Sequence, residues 1–563
     1  MADDNNSSLS RRQWMKLAVP AAAVSAGSGL LASRAFADDQ SNSAVGDEKL
    51  LGAKIYNIRD FGAKGDGTTL DTAAIQSAID ACTRDSGGIV LVPAGTFLIG
   101  PIELKSNVTL RIAAAAKLLG STDPKQYHPA NGIPLQGDHT LGDGNTGLVY
   151  AANANNVTIE GPGMIDGQGQ PLRANGLGGS RRAHLTLFYR CTNLRIRGVY
   201  FYHSNYHTCR ICNCSYVFLD GIRIFSRTVG NNDGFHFISA DHAHVSNCDV
   251  RCQDDACAMF GSCQFITITN SLFSTRWSAF RFGTGIANNI AVSNCLLYQV
   301  FGCPIKLRSD PGSRFENMSF SNLVFDQVTG PITVAAGPQH LAGAGRRNPE
   351  PVSNAPAVVR NISFSNISGN VISKLDKLDD SKFDSGGNPG ELFSCICLNC
   401  VKGHVMENIF FNGIRLTFGG GGTAAMAARR NLPPIANEFF SLGPMPAYAF
   451  YARNVRGFTL DNARFETDTP DLRPAVMLDH VTDVAIGGLN AQGNQAAASA
   501  VCLVGAQDVL LNAPRLLTPA SVFLQVEGAD AANIIVDGGD LSKAAAPLAF
   551  KNGANGNSVK LRM

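Results

Sequence analysis

The chain has 563 residues, more than one ordinary compact domain needs, so it contains either several domains or a repeat architecture. Its 47 basic and 45 acidic residues leave a formal net charge of +2, which argues against nucleic acid as a partner. Hydrophobic residues make up 45% of the chain, which argues against a disordered protein.

The N-terminus has the pattern of an export signal. Residues 10–16 contain paired arginines followed by a bulky residue and a lysine, and a weakly apolar run, 17–32, comes next. Residues 35–37 then offer a small-x-small cleavage site. The paired arginines resemble a twin-arginine signal, although an ordinary secretory signal or an uncleaved anchor stays open.

The predicted domain order follows from this signal. Residues 1–37 are the signal peptide, 38–53 a linker and 54–563 a single catalytic domain. We expect a protein of the periplasm or the extracellular space, with no membrane association after the signal is removed.

The first predicted elements lie at the start of this domain. Apolar residues recur at helical spacing from Asp71 to Cys82, which predicts a helix that caps the open end of the fold. Residues 90–97 follow, and they read as the first strand and turn.

A short pattern then recurs along the chain: a polar residue, often Asn, followed by alternating β-formers and Asn or Gly. Copies begin at Asn107, Asn156, Asn193, Tyr216, His242, Phe265, Asn289, Asn317, Asn361, Asn408, Gly457, Asp483, Asp508 and Asn533. Alternation within a repeat of roughly 20–30 residues predicts short stacked strands. Leucine-rich repeats would show Leu-x-x-Leu-x-Leu, and propeller blades need about 40–50 residues. The remaining interpretation is a parallel β-helix, whose handedness does not follow from the spacing.

Three longer intervals between copies imply loops. They contain residues 337–356, 374–389 and 419–434, which are rich in Gly, Pro or charge. Loops on a solenoid usually wall a binding face.

The 15 cysteines are expected to be mostly buried free thiols, because twin-arginine substrates fold in a reducing compartment before export. Two groups, 209–214 and 395–400, invite a metal interpretation. Most of these cysteines alternate within apolar, strand-like segments, so no metal site is predicted.

Acidic residues cluster at one place in the repeat. Asp233 precedes the pair Asp254 and Asp255 by 21 residues, about one coil, so the three carboxylates should lie at the same angular position. One carboxylic acid of such a set can protonate a glycosidic oxygen while another carboxylate deprotonates water. Crowding of like charges raises one pKa and keeps that proton available. Calcium binding is a second interpretation of clustered carboxylates.

These motifs resemble family 28 glycoside hydrolases, the polygalacturonase and rhamnogalacturonase group. The resemblance covers roughly residues 54–560 and includes the segments 55–67, 87–97 and 161–169. It implies an all-β, right-handed, single-stranded parallel β-helix with an N-terminal capping helix. It also implies an inverting, metal-independent enzyme without a cofactor.

The family's Asn-x-Asp motif matches Asn231, Asn232 and Asp233, and its Asp-Asp pair matches Asp254 and Asp255. By this resemblance, Asp254 is the general acid. Asp233 and Asp255 hold and activate the water, and Asn231 contributes to binding.

Lys306 matches the lysine of the family's Arg-Ile-Lys motif, but Pro304 stands where the arginine is expected. Arg308 is the candidate substitute. A lysine or arginine here can pair with a uronate carboxylate, and the alternative is a solvated charge at the end of a strand.

The family's Gly-His-Gly motif is missing, because residues 276–283 contain no histidine. Arg281 or Arg276 is the candidate for a replacement cation, and Trp277 for stacking on a sugar. His236 is also unusual for the family, and we assign it to the substrate-binding set.

The sequence therefore predicts an exported, monomeric glycoside hydrolase acting on a uronate- or rhamnose-containing, pectin-type polysaccharide. Two alternatives stay open. A calcium-dependent polysaccharide lyase would use Arg281 or Lys306 as its base. A noncatalytic glycan-binding β-helix would bind sugar without cleaving it.

Overall fold

The structure, a computed structural model, describes residues 52–134, 144–178, 181–340, 352–375 and 387–562. The predicted signal peptide, most of the linker and parts of the first two predicted loops lie outside these ranges. Within them, no helix combines the length and hydropathy needed to span a bilayer.

The described strands pair in parallel with strands one coil away, in three ladders that run along a solenoid. The repeat copies form the first ladder, which continues from coil to coil in register. Its separate strands are Ile55–Asn57, Gly88–Val92, Val108–Ile112, Asn155–Glu160, Thr192–Arg197, Ser215–Asp220, Asp241–Ser246, Arg456–Asp461, Thr482–Gly487, Gln507–Asn512, Ala532–Asp537 and Val559–Arg562.

The second ladder follows the first around a corner of each coil. Its separate strands are Asp66–Leu70, Gly95–Ile99, Ala116–Gly120, Met164–Asp166, Tyr200–Tyr202, Arg223–Ser226, Asp249–Cys252, Leu272–Thr275, Arg464–Thr467, Asn490–Ala491 and Arg515–Leu516. Five long strands continue through two or three ladders without a break: Cys257–Thr269, Phe280–Val300, Arg314–Val328, Val358–Val371 and Val405–Phe418.

The third ladder completes each coil. Its separate strands are Ile102–Glu103, Thr146–Ala152, Ala183–Tyr189, Cys209–Cys212, Phe235–Ile238, Ile305–Ser309, Ile332–Ala336, Ile396–Cys400, Phe450–Arg453, Val476–Asp479, Val501–Val504, Ala520–Glu527 and Ala544–Lys551.

The helices are few and short. The α-helices are Thr72–Arg84, Gly169–Ala174, Ala424–Ala427 and Phe439–Leu442, and the 3₁₀ helices are Ile58–Phe61, Pro124–Gln126, Glu391–Phe393 and Gly556–Ser558. The helix predicted near residues 71–82 is thus present. Its role as a cap stays a prediction.

One expectation about the first strand is wrong. Two strands, Ile55–Asn57 and Asp66–Leu70, precede the segment 90–97. The second of them is exposed along most of its length, so it lacks the alternation of apolar residues that marks a half-buried strand.

The core consists of inward-facing residues stacked from coil to coil. Phe364 stacks between Phe320 and Phe411, with ring centroids 5.2 and 4.7 Å away. Burial of each such side chain contributes about 1.5–3 kcal/mol. All fifteen cysteines fall within the described residues, where they are buried and form no disulfide, as the sequence predicts.

The asparagines of the repeat form a ladder of amide hydrogen bonds. Asn361 donates from Nδ2 to Oδ1 of Asn317 at 3.1 Å and accepts from Nδ2 of Asn408 at 2.7 Å. All three have φ between 54° and 57°, in the left-handed region that Asn tolerates better than most residues. Asn at this position therefore satisfies both the turn and the neighbouring coils.

Replacing Asn361 separates these two effects. We expect Asn361→Ala to destabilise the protein by about 1–2 kcal/mol, because alanine loses both amide bonds and is strained in the left-handed region. Asn361→Gly should cost less, since glycine adopts this conformation without strain. Thermal denaturation of both variants tests this, and an equal loss would show that the backbone conformation contributes nothing.

Candidate active site

The third ladder aligns the predicted site residues along the solenoid. His236 lies beside Ala258, Ala258 beside Arg281, and Arg281 beside Lys306, each pair one coil apart. The three aspartates occupy the turns just before these strands. The backbone N of Gly234 donates to the carbonyl of Asp255 at 3.0 Å. The one-coil register between Asp233 and the Asp254–Asp255 pair is therefore present.

Asn232, the middle residue of the Asn-x-Asp motif, holds this turn in place. It is fully buried, and its Nδ2 donates to the carbonyls of Ser204 and Tyr206, both at 2.8 Å. Its own carbonyl accepts the backbone N–H groups of Gln253 and Asp254, both at 3.2 Å. Sequence reasoning gave Asn232 no role, because a variable motif position carries no signal for a buried hydrogen-bond hub.

Asp254 is a carboxyl of the site whose surroundings raise its proton affinity. It is partly buried, and its Oδ2 accepts from Nδ2 of Asn231 at 3.0 Å. Burial and the neighbouring Asp255 raise the pKa of Asp254 to about 7, against the opposing effect of Lys306. Asp254 therefore keeps a proton to give at near-neutral pH.

The other two aspartates, Asp255 and Asp233, each contact a neighbouring group that fixes the carboxylate. Oδ1 of Asp255 accepts the backbone N–H of Ser278 at 3.2 Å. Asp233 is buried, and its Oδ2 lies 2.6 Å from Nδ1 of His236. His236, assigned from the sequence to substrate binding, thus lies against a predicted catalytic carboxylate.

Two buried histidines flank Asp233. His207 stacks on His236 with ring centroids 4.1 Å apart, and its Nε2 lies 3.8 Å from Oδ1 of Asp233. Burial lowers the pKa of both histidines well below the usual range, so both are neutral at physiological pH. The Arg210 guanidinium donates to Nδ1 of His207 at 2.7 Å, which leaves the His207 proton on Nε2, facing Asp233.

His207, Asp233 and His236 bring three potential ligand atoms within 4.8 Å of one another. A histidine that binds a metal normally donates from its other ring nitrogen to an acceptor. Here an arginine donates to His207 instead, which places a proton on the nitrogen that a metal would need. The donor set therefore fits a hydrogen-bonded group around Asp233 better than a metal centre.

Lys306 and Arg308, the predicted uronate-binding cations, both contact Glu438. Nζ of Lys306 lies 2.8 Å from Oε1 of Glu438, and Nη1 of Arg308 lies 3.4 Å from Oε2. Burial alone would raise the pKa of Glu438, but the neighbouring cations outweigh it and lower the pKa to about 2. Glu438 is a site residue that the sequence did not reveal.

Arg281 lies between the aspartates and this ion cluster. Its guanidinium is 5.4 Å from the Phe260 ring centroid, and Nη1 donates to the carbonyl of Phe282 at 2.5 Å. Burial, and then the charge of Arg308, lower the pKa of Arg281 to about 10. It therefore remains a cation at the pH where Asp254 titrates.

Trp277 and Arg276 are neighbours in sequence but have different main contacts. Trp277 is partly buried, with its ring centroid 5.8 Å from Nζ of Lys306. Arg276 is buried and pairs with Glu391 through Nη1 and Nη2, each at 3.2 Å. The Arg276 guanidinium is also 5.4 Å from the Trp277 ring centroid, so Trp277 contacts both the Lys306 cluster and the Arg276–Glu391 ion pair.

Comparisons with known proteins show which family the chain resembles. The sequence model of glycosyl hydrolases family 28 matches residues 82–382, just over half of the chain. An exo-poly-alpha-D-galacturonosidase of Dickeya chrysanthemi is 43% identical over 124 residues, which cover 21% of this chain and 20% of that relative. The match thus spans only a fifth of the Dickeya protein.

Two further proteins are similar over more of their length. A probable polygalacturonase of Arabidopsis thaliana is 26% identical over 326 residues, which cover 56% of this chain and 67% of the relative. The structure of a family 28 exopolygalacturonase of Yersinia enterocolitica has a TM-score of 0.53 and 18% identity, covering 77% of this chain and 78% of that one. This likeness confirms the expected fold class, an all-β right-handed parallel β-helix.

The origin of the Asp254 proton affinity can be tested directly. We expect Asp255→Asn to lower the pKa of Asp254 from about 7, because the substitution removes a neighbouring negative charge. Carbon-13 NMR of selectively labelled aspartate measures this titration. Asp220→Asn, at a carboxylate that bonds Ser246 and Asn247 on the first ladder, is the control and should leave it unchanged. An unaltered Asp254 titration in Asp255→Asn would assign the whole shift to burial.

Proposed function

The chain belongs to glycosyl hydrolases family 28, and we propose that it hydrolyses a pectin-type polysaccharide with inversion at the anomeric carbon. In this proposal Asp254 is the general acid, and Asp233 and Asp255 position and deprotonate the attacking water. The observation that carries the proposal is the convergence of three carboxylates on adjacent coils, one of which has its pKa raised to about 7.

The proposed reaction moves two protons and breaks one bond. Asp254 gives its proton to the glycosidic oxygen, which leaves with the electron pair of the breaking C–O bond. Water attacks the anomeric carbon from the opposite face, and its proton passes to Asp255 or Asp233. An inverting enzyme needs the acid and base about 6.5–9.5 Å apart, to leave room for the water.

The neighbours of Asp233 support its role as a base. His236 Nδ1 lies 2.6 Å from Oδ2 of Asp233, within hydrogen-bond distance, whereas Nε2 of neutral His207 lies 3.8 Å from Oδ1, beyond it. Hydrogen bonds donated to a carboxylate favour its charged form, so Asp233 is held ready to accept a proton. His207 and His236 act in this proposal as positioning residues.

The substrate class is inferred from the relatives and the cations together. The Dickeya and Arabidopsis relatives are described as enzymes of galacturonate polymers. Arg281, Lys306 and Arg308 lie in a row along the third ladder near the aspartates, so their charges attract an acidic polysaccharide at long range even though Glu438 pairs with two of them. We therefore propose a uronate- or rhamnose-containing polysaccharide as substrate.

We further propose that a monomer acts outside the cytoplasm, with residues 54–563 as its catalytic domain. The support for export is the paired-arginine segment at residues 10–16 and the cleavage pattern at 35–37. Replacing Arg11 and Arg12 with lysine should keep the protein in the cytoplasm of a bacterium with a twin-arginine system. Unchanged export of this variant would indicate an ordinary secretory signal.

Removing the general acid should lower the cleavage rate most when the leaving group needs a proton. Asp254→Asn is expected to slow polysaccharide cleavage about 10²–10⁴-fold, but to slow cleavage of an aryl glycoside with an acidic phenol far less. Reducing-end assays on a polysaccharide panel, with NMR of the first-formed anomer, measure rate and stereochemistry. Asp249→Asn, on the second ladder, is the matched control and should retain wild-type rates.

The outcomes separate the rival functions. Retention of the anomeric configuration, or full activity of Asp254→Asn, would contradict the proposed mechanism. An unsaturated, ultraviolet-absorbing product that depends on calcium would indicate a lyase. Sugar binding without new reducing ends across the panel would indicate a glycan-binding protein.

The pH profile supplies an independent check. Because the acid must be protonated, kcat/KM should fall as pH rises above about 7, the pKa of Asp254 in the free enzyme. Asp255→Asn should move this alkaline limb to lower pH, although its overall rate will also be reduced. If the Asp254 titration moves in Asp255→Asn but the alkaline limb stays in place, another group is the acid.

A further inference from the structure

Glu438 places a negative charge inside the cation cluster that a uronate would otherwise contact. It is 0% exposed and is separated from Lys306 and Arg308 by 132 and 130 residues. It precedes the short helix Phe439–Leu442, in the connection between the strand Val405–Phe418 and the third-ladder strand Phe450–Arg453. An ion pair across such a sequence distance requires this connection to fold back onto the ladder.

The segment that carries Glu438 is fixed by several contacts. The backbone N of Ala436 donates to the carbonyl of Pro338 at 2.7 Å. Asn437 donates to the carbonyl of Gln339 at 3.4 Å. The Phe440 ring packs edge-on against Trp277, with centroids 5.9 Å apart. The carboxylate is thus part of a packed structure.

The cations around Glu438 are already engaged. Lys306, Arg281 and Arg308 are only 5–7% exposed. Arg308 also donates to Oε1 of Gln339, whose Nε2 donates to Asp310 at 2.5 Å. A second carboxylate entering this cluster would lose its water, meet the charge of Glu438 and find the best donor positions occupied.

We propose that Glu438 determines specificity: it takes the place of a substrate carboxylate, so the sugar unit held against Lys306 is neutral. This inference rests on the proposed function and makes it more specific. The polysaccharide then carries a neutral hexose or deoxyhexose on at least one side of the cleaved bond. The Trp277 ring is partly exposed beside Lys306, and that sugar can stack on it.

A matched pair of sugars tests the proposal. Galacturonic acid and galactose share their ring stereochemistry and differ in the carboxylate at C6. Trp14 and Trp277 are the only tryptophans, so Trp14→Phe in the full chain makes Trp277 fluorescence a reporter of the cluster. In this background Glu438→Gln should strengthen galacturonate binding at least tenfold, because it removes the internal charge and keeps the side-chain shape. Galactose binding should change less than threefold.

Two control variants isolate the charge. Glu438→Asp keeps the charge and should continue to exclude galacturonate. Glu391→Gln removes the equally buried carboxylate that pairs with Arg276 and should leave the galacturonate affinity unchanged. Failure of Glu438→Gln to gain galacturonate binding, or an equal gain in Glu391→Gln, overturns the proposal.

Product analysis of the wild-type chain is a second measurement, which does not depend on a variant folding. Mass spectrometry of the first products should show a neutral sugar next to the cleaved bond, and cleavage between two uronates would overturn the proposal. The two proposals also fail separately. If no polysaccharide is cleaved but Glu438→Gln gains galacturonate binding, the proposed function fails and the role of Glu438 stands. If cleavage occurs without that gain, only the role of Glu438 fails.

Discussion

The hydrogen-bond register between successive coils is the constraint on which the rest of this structure depends. Each strand pairs in parallel with strands one coil away, about 4.8 Å distant. Residues at equivalent positions of neighbouring coils therefore become neighbours in space. The same rule stacks Phe320, Phe364 and Phe411 in the core, links Asn317 to Asn361 at the turn, and brings Asp233 beside Asp255.

This register also creates the electrostatic properties of the site. Parallel stacking places Arg281 and Lys306 on successive strands beside the aspartates, where burial strengthens every charge interaction. The carboxyl of Asp254 responds by holding its proton to about pH 7, whereas Glu438, which has several cations around it, stays ionised. The two carboxyls thus differ in protonation because their neighbours differ in charge.

The sequence was sufficient for the features that this register determines. The spacing of the repeat predicted the coil, and the 21 residues between Asp233 and Asp254 predicted their proximity. It was insufficient where the contacts are not periodic. The strands Ile55–Asn57 and Asp66–Leu70 carry no copy of the repeat, and His207 was not recognised because its role depends on the hydrogen bond from Arg210.

The contacts that the repeat could not predict share a physical origin. Glu438 and Glu391 both belong to connections between strands, and both pair with cations on or beside the third ladder. A connection can change length or sequence at small cost to the fold, because loop closure entropy grows slowly with length. The carboxylates of Asp233, Asp254 and Asp255, in contrast, are positioned by ladder register. A solenoid of this kind can therefore keep one arrangement of carboxylates on its ladder while its connections change the charges that lie beside them.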